Sequence, residues 1–358
     1  HVFKRCSHAI DISNSNVHSK RIINIFLAVM SEDTALNLES WMNELPMPLK
    51  NIPIIYLAIP GSHDSMTYGI TRSSGLAPDA QPILHRLYNL FRGTILRWTI
   101  TQAVDTQHQL LIGIRYFDLR LATKKGDEKL YFTHGLYAEE ISKALEEVRE
   151  FVDLHPGEVV ILDCQHFYGF TPQDHQKLIR YLVNLYGTRL APRRIDPQTL
   201  TLNALNRLKQ QVIIIYRNES VFSTSEFWPP QTWPSPWPQQ DRVSGLITYL
   251  RNVRRNPNAG FIHQAVLTPT PTFIVLRWTS NLRAKCAIPV KDEVLPELLN
   301  FTPGRPVIGN SGAGITAPVN IVIADFVDME DAIFPRAIIQ LNRKLLKNID
   351  TVYYNGGG

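Results

Sequence analysis

The sequence predicts a single-domain α/β protein, a barrel of strands interleaved with helices, and three observations lead there. The chain has 358 residues, 44% hydrophobic and 19% charged, which fits one large globular domain and excludes disordered or collagen-like classes. From Ile52 onward, short β-rich apolar runs recur between amphipathic helical stretches, the alternation of an α/β architecture. No internal hinge interrupts the seven or eight expected strands, so one βα barrel fits better than two domains.

The strand runs are expected at 54–59, 114–121, 130–133, 159–163, 212–216, 264–267 with 273–276, and 320–324. A helix is expected over 138–152, where Ile141, Ala144, Leu145, Val148, Phe151 and Val152 share one face and Glu139, Glu140, Glu146, Glu147 and Arg149 the other. His155-Pro156-Gly157 stops it. Residues 1–37 show little periodicity and are expected to be a poorly ordered extension, with Met30 available as a natural start. The barrel is expected over 38–345, with a tail at 346–358.

Charge and cysteine content narrow the setting. Lys plus Arg number 37 against 32 Asp plus Glu, a net charge of +5 that requires no nucleic-acid partner and allows attraction to anionic lipid surfaces. Cys6, Cys164 and Cys286 lack metal-type spacing and read as free thiols of a reducing compartment. The apolar stretch 22–30 is shorter than the roughly 20 residues a membrane span needs and lacks a signal-peptide cleavage site. The expectation is a cytoplasmic protein that visits membranes only transiently; the tripeptides beginning at Asn218 and Asn300 then match a glycosylation pattern by chance.

In a βα barrel the chemistry lies at the C-terminal strand ends. The first end reads Ile59-Pro60-Gly61-Ser62-His63-Asp64-Ser65, a histidine and a carboxylate just past a Pro-Gly turn. The second run, Gly113-Ile114-Arg115-Tyr116-Phe117-Asp118-Leu119-Arg120, alternates so that Tyr116, Asp118 and Arg120 share a face. The third ends in Phe132-Thr133-His134-Gly135. Two histidines, a carboxylate and an arginine supply what an RNase-like phosphodiester cleavage needs: a base for the attacking hydroxyl, an acid for the leaving oxygen, and a guanidinium against the charge growing on phosphate.

These segments, with Val159 to Tyr168, resemble the phosphatidylinositol-specific phospholipase C X-domain-containing proteins. The resemblance runs from about Leu38 to Leu345 and takes in Trp41, Trp98, Thr101-Gln102, His166-Phe167-Tyr168-Gly169, Trp228-Pro229, Val266-Leu267-Thr268-Pro269 and Asn320-Ile321-Val322-Ile323-Ala324-Asp325-Phe326-Val327. It implies a distorted TIM barrel in which His63 is the general base on the inositol 2-hydroxyl and His134 the general acid toward the diacylglycerol oxygen. It places Arg120 on the phosphate and Asp325 behind His63. Asp64 then supports the acid side, and Asp118 holds the arginine and the 2-hydroxyl region. Arg217, after the run 212–216, is similar to an arginine that contacts inositol in bacterial relatives. No cofactor and no metal is implied, because Arg120 stands where calcium-dependent relatives carry an acidic ligand.

The pattern departs from the bacterial one in two places. The stretch expected to give polar and aromatic contacts to inositol reads Gln264-Ala265-Val266-Leu267, and Gln165 or His166 stands in for missing lysines. The implied partners are a phosphoinositide substrate and a membrane surface. The loop 227–238, with three of the six tryptophans, either docks the barrel mouth on a bilayer or packs as a lid. His85, His108, His155, His175 and His263 read as packing or surface residues, and Arg251, Arg254 and Arg255 as a solvated helix end. Rival functions are a catalytically inactive phosphoinositide-binding module and a metal-dependent glycerophosphodiesterase; sensitivity to chelators separates the latter.

Overall fold

The structure, a computed structural model, describes residues 36–193, 196–306 and 318–346. The expected extension and tail fall, except for residues 36, 37 and 346, outside them. Eight strands are found among the described residues: β1 Ile59–Ser62, β2 Tyr116–Lys124, β3 Asp127–His134, β4 Leu136–Glu140, β5 Val160–Tyr168, β6 Val212–Tyr216, β7 Ile262–Gln264 and β8 Ile321–Ala324. The helices that frame them include α1 Pro82–Thr99, α2 Thr106–Leu111, α3 Ile141–Leu154, α4 Pro172–Tyr186, α5 Leu202–Leu208, α6 Val243–Asn252, α7 Pro271–Val275 and α8 Met329–Gln340.

Parallel strands covered on both faces need apolar residues at every position, and β6 and β8 are buried along their whole length. Hydrogen bonding runs β6–β5–β2–β1–β8–β7, all parallel. Beyond Arg120 the long β2 pairs antiparallel with β3, and β3 with β4, a ribbon that distorts the barrel and carries His134. Helix ends follow their sequence signals. Thr171 and Asp174 cap each other's backbone around Pro172 at the start of α4.

The eight strands do not close on themselves. The Trp/Pro segment fills the gap between β6 and β7. Trp228 exchanges backbone hydrogen bonds with Ile214 and Tyr216 on one side, while Gly260 and Ile262 donate to the carbonyls of Thr232 and Pro234 on the other. Trp228 and Trp233 are accordingly buried in the wall, and Trp228 donates from Nε1 to Ala191 O at 2.7 Å. For these two tryptophans the packing alternative holds and bilayer insertion does not.

Several element expectations need correction. The run 54–59 opens as a turn of 3-10 helix, Ile54–Tyr56, and the strand begins only at Ile59. Its backbone is satisfied by side chains instead of a neighbouring strand: Asn320 donates to Ile54 O and Leu57 O, and Asn342 bonds both backbone groups of Ala58. Residues 273–275 are helical, with Leu276 as the C-cap, because Thr270 caps Phe273 N and Pro271 sits in the first turn, a start signal that outweighs β-branched content. The strand near 264–267 is instead β7, and residues 138–140 belong to β4, so the helix starts at Ile141.

The N-terminal side of the barrel is sealed by a buried ion pair. Arg115, fully buried, bonds Glu158 through Nε at 2.8 Å and donates to the carbonyls of Leu110, Ile114, Leu38 and Glu39. Glu158 in turn accepts from Asn43 N at 2.7 Å. Removing one partner of such a pair leaves the other charge buried alone, so Arg115→Ala is expected to lower unfolding stability by about 3–5 kcal/mol. A urea denaturation series measures it.

Candidate active site

β1 ends in a turn that sets His63 and Asp64. Gly61 is required there because a Cβ would lie 2.7 Å from Cδ1 of Tyr116. Asp64 has φ of +41°, a conformation asparagine and aspartate tolerate better than most residues. Ser65 holds the turn: its backbone N donates to Asp118 O at 3.0 Å, and its Oγ accepts from Asp118 N at 2.8 Å.

His63 Nδ1 lies 2.7 Å from Asp325 Oδ1, beyond the end of β8. A carboxylate accepts, so Nδ1 carries the proton and Nε2 is the working atom. That atom stands 3.4 Å from Asp64 Oδ2 and 3.2 Å from Arg120 Nη2. His134 is oriented the same way from the other side. Its Nδ1 lies 2.8 Å from Thr99 O, which can only accept, leaving Nε2 3.2 Å from Asp64 Oδ2. The two Nε2 atoms therefore converge on one carboxylate oxygen.

Arg120 lies between the acidic residues. Its Nε pairs with Asp64 Oδ1, and Nη2 stands 3.6 Å from Asp118 Oδ2, which also accepts from Asp64 N at 3.2 Å. Burial opposes charge on His63, but the carboxylates of Asp64 and Asp325 outweigh it and push its pKa up to about 9. Burial likewise opposes charge on Asp64, and Arg120, His134 and His63 overcome it, holding the carboxyl down at about 2. Arg120 is pushed further up by Asp64 and Asp118 against its own burial.

His63, Asp64 and Asp118 also bring three ligand-type atoms within 4.8 Å of one another. A calcium ion needs six to eight oxygen ligands. Here two carboxylates and an imidazole are already paired with a guanidinium, so the donor set does not fit a calcium ion while Arg120 is in place.

The remaining predicted residues divide. Arg217 faces the same interior, but it forks onto Asp163 at 2.8 and 2.6 Å and donates to Trp233 O at 2.7 Å. Asp163 also accepts from Tyr116 Oη at 2.7 Å. Most of the Arg217 donor capacity is thus spent inside the protein. His166 is exposed near the C-terminal end of β5 and stacks on Tyr168 at 5.8 Å.

Several contributors were not assigned from sequence. Trp237, on the barrel-closing segment, places its ring 5.3 Å from that of His63 and 5.9 Å from Arg120 Cζ. The aromatic wall thus comes from the Trp/Pro segment, which lies where the sequence reading placed Gln264–Leu267. Gln102, fully buried, donates from Nε2 to both His63 O (2.9 Å) and Ala324 O (3.0 Å), clasping the ends of β1 and β8 and with them the His63–Asp325 pair. Asp79 accepts from Thr133 Oγ1 at 2.7 Å and Gly135 N at 2.6 Å, fixing the turn of His134. Thr101-Gln102 stood out in the sequence without a role; Asp79 and Trp237 carried no spacing signal.

Fold and site define a distorted βα-barrel protein with a buried histidine, carboxylate and guanidinium cluster at its C-terminal strand ends. Residues 96–218 match the phosphatidylinositol-specific phospholipase C X domain. Human PI-PLC X domain-containing protein 3 is 35% identical over 317 residues, 86% of this chain and 94% of that protein. Human protein 1 of the same designation is 33% identical over 86% of this chain and 93% of its own. The chain belongs to the PI-PLC X domain family. Among solved structures, the phosphatidylinositol-specific phospholipases C of Staphylococcus aureus (TM-score 0.58, 15% identity, 86% of this chain and 98% of that one) and Listeria monocytogenes (TM-score 0.54, 18% identity, 86% and 98%) share the fold.

Proposed function

We propose that the chain is a phosphodiesterase that cleaves phosphatidylinositol-type lipids without a metal ion. The observation that carries this reading is the convergence of both histidine Nε2 atoms on Asp64 Oδ2, at 3.4 and 3.2 Å, with Arg120 alongside. A phosphate over Arg120 would have one imidazole on the side of the attacking oxygen and the other on the side of the leaving oxygen. His63 Nε2 takes the proton of the inositol 2-hydroxyl as the oxygen–phosphorus bond forms. The bond from phosphorus to the glycerol oxygen breaks, and His134 Nε2 delivers its proton to that oxygen. The products are diacylglycerol and a cyclic inositol phosphate. Trp237 offers its face to the inositol ring, while Arg217 and His166 border the headgroup space, with Arg217 acting mainly by fixing Asp163.

Arg120 takes the charge-neutralising part that an ion would otherwise supply. We place the enzyme in the cytoplasm, meeting membranes only at their surface. No helix among the described residues is long and apolar enough to cross one. Of the loop 227–238, only Trp237 among the tryptophans reaches the mouth. The test is a panel of inositol lipids with and without EDTA, read for diacylglycerol and headgroup product. Release that EDTA leaves intact supports the reading; binding without release from any lipid would support an inactive phosphoinositide-binding module, and release abolished by EDTA a metal-dependent diesterase.

The same reading fixes the pH response. A general base must be unprotonated, and a pKa raised to about 9 means the competent fraction of His63 grows about tenfold per unit from neutrality toward that value. The ascending limb of kcat/KM should lie well above 6.5. Asp325→Asn removes one of the charges that raise it, so the limb should move to lower pH while kcat falls. A limb near 6.5 that ignores Asp325→Asn would contradict the assignment of His63.

A further inference from the structure

Thr101-Gln102 stands out in the sequence, yet its contacts run to backbone groups and to Thr67, not to an atom that reacts. Both side chains are buried, and they lie on the short segment that follows α1. That segment reaches both histidines. Thr99 O orients His134 at 2.8 Å, and two residues further on the chain passes the ends of β1 and β8, where His63 and Asp325 meet.

Neither His63 nor Asp325 lies within a strand. His63 N donates to Ala324 O at 3.1 Å as the β1–β8 pairing ends, and both chains then turn away through residues of positive φ, Asp64 at +41° and Phe326 at +49°. Backbone groups at such a divergence lose their ladder partners, and buried ones must find others. Here the segment after α1 supplies them. Gln102 Nε2 donates to His63 O at 2.9 Å and Ala324 O at 3.0 Å, and its Oε1 accepts from Val327 N at 3.3 Å. Thr101 O accepts from Phe326 N at 2.7 Å. The Thr101 hydroxyl lies 3.1 Å from both His63 O and Asp64 O, which can only accept, so it donates to that pair. Thr67 Oγ1 steadies the segment from below, accepting from the backbone N of Thr101 and of Gln102 at 3.0 Å each. The backbone is thus gripped at His63 itself and on both sides of Asp325.

We propose that Thr101 and Gln102 are positioning residues of the general base, holding the His63 ring in register with the carboxylate of Asp325. The inference rests on the phosphodiesterase reading, in which His63 is that base. The 2.7 Å bond between His63 Nδ1 and Asp325 Oδ1 decides which nitrogen faces the substrate, and misplacing a reacting group by about 1 Å can cost about 10²-fold in rate. His63 is also faced by Asp64 from its own turn and by Arg120 from β2, with His134 beyond Asp64. Loosening Asp325 weakens one of the two carboxylates that favour the charged ring, so the titration of His63 moves to lower pH.

The test follows the His63 ring and turnover side by side in Gln102→Met and Thr101→Val chains. NMR of isotope-labelled histidine, with His63→Ala assigning the signal, reads the titration. Cleavage of a monomeric phosphatidylinositol reads kcat and KM at each chain's own pH optimum. Gln102→Met should move the titration to lower pH, as Asp325→Asn does, and lower kcat by about 10–10²-fold with KM changed by less than about twofold. Added to the Asp325→Asn chain, it should cost less than about threefold more, because the two substitutions break one coupling. Thr101→Val removes a single hydroxyl from the same clasp and should shift both readouts in the same direction, with Thr101→Ser restoring them. That pair carries the test if the melting midpoint shows that Gln102→Met does not fold. An unmoved titration, or an equal fold-loss of kcat in the parent and Asp325→Asn chains, would overturn the proposal and leave the phosphodiesterase reading standing. A moved titration in a protein that releases nothing from any inositol lipid would sink that reading and leave the positioning role standing.

Discussion

His63→Ala and His134→Ala are each expected to lower kcat on a monomeric phosphatidylinositol by about 10²–10⁴-fold, the usual contribution of a positioned acid or base. The two variants should differ when the leaving group changes. With an inositol phosphodiester whose leaving oxygen is a nitrophenolate, the departing group needs no proton, so His134→Ala should recover most of its loss and His63→Ala should not. That contrast follows from the proposed division of roles, His63 as base and His134 as acid, each working through Nε2. His63 Nε2 is the atom left free by the Asp325 bond, and His134 Nε2 the one left free by Thr99 O. Equal losses on both substrates would mean that the two rings do not divide base and acid in this way.

The second large effect is expected at Arg120. Its guanidinium pairs with Asp64 and stands 3.6 Å from Asp118, both buried. Arg120→Met removes the guanidinium from Asp118 and leaves Asp64 with His63 and His134 beside it, and the expected cost is about 3–5 kcal/mol of stability, together with a 10²–10³-fold loss of kcat from the missing charge on phosphate, about what one oxyanion donor is worth. Arg120→Lys keeps the charge but not the planar fork, so it should retain more stability than activity. Calorimetric melting beside steady-state turnover separates the two losses. An Arg120→Met chain that melts and turns over like the parent would remove the arginine from the account.

The parts of this site carried by a turn or a strand end were readable from sequence. His63, Asp64, Asp118, Arg120 and His134 sit within a few residues of apolar runs whose period fixes which way they face, and Asp325 follows the last such run. Their mutual distances were not readable, because His63 and Asp325 meet across 262 positions of chain. The barrel was legible as alternation, yet its closure was not. Residues 228–235 bond to β6 and β7 without repeating an apolar period, since proline gives no backbone donor and breaks the ladder. Trp237 belongs to that segment and was hidden with it. Arg217 shows another limit: its strand-end position marked it for substrate contact, but gave no sign that it forks onto Asp163, a buried carboxylate of the neighbouring strand that pairs in register with Ile215, two positions before Arg217. Long-range polar pairing of this kind leaves no periodic trace.

The most direct test of the central claim is ³¹P NMR of the reaction on monomeric phosphatidylinositol in the presence of EDTA. The account predicts a five-membered cyclic inositol phosphate appearing in step with diacylglycerol, no turnover of the 2-deoxy-inositol analogue, and cyclic product from His63→Ala formed about 10²–10⁴-fold more slowly. An acyclic phosphate as the first product, cleavage of the 2-deoxy analogue, or a reaction that proceeds only once a divalent ion is restored would contradict it.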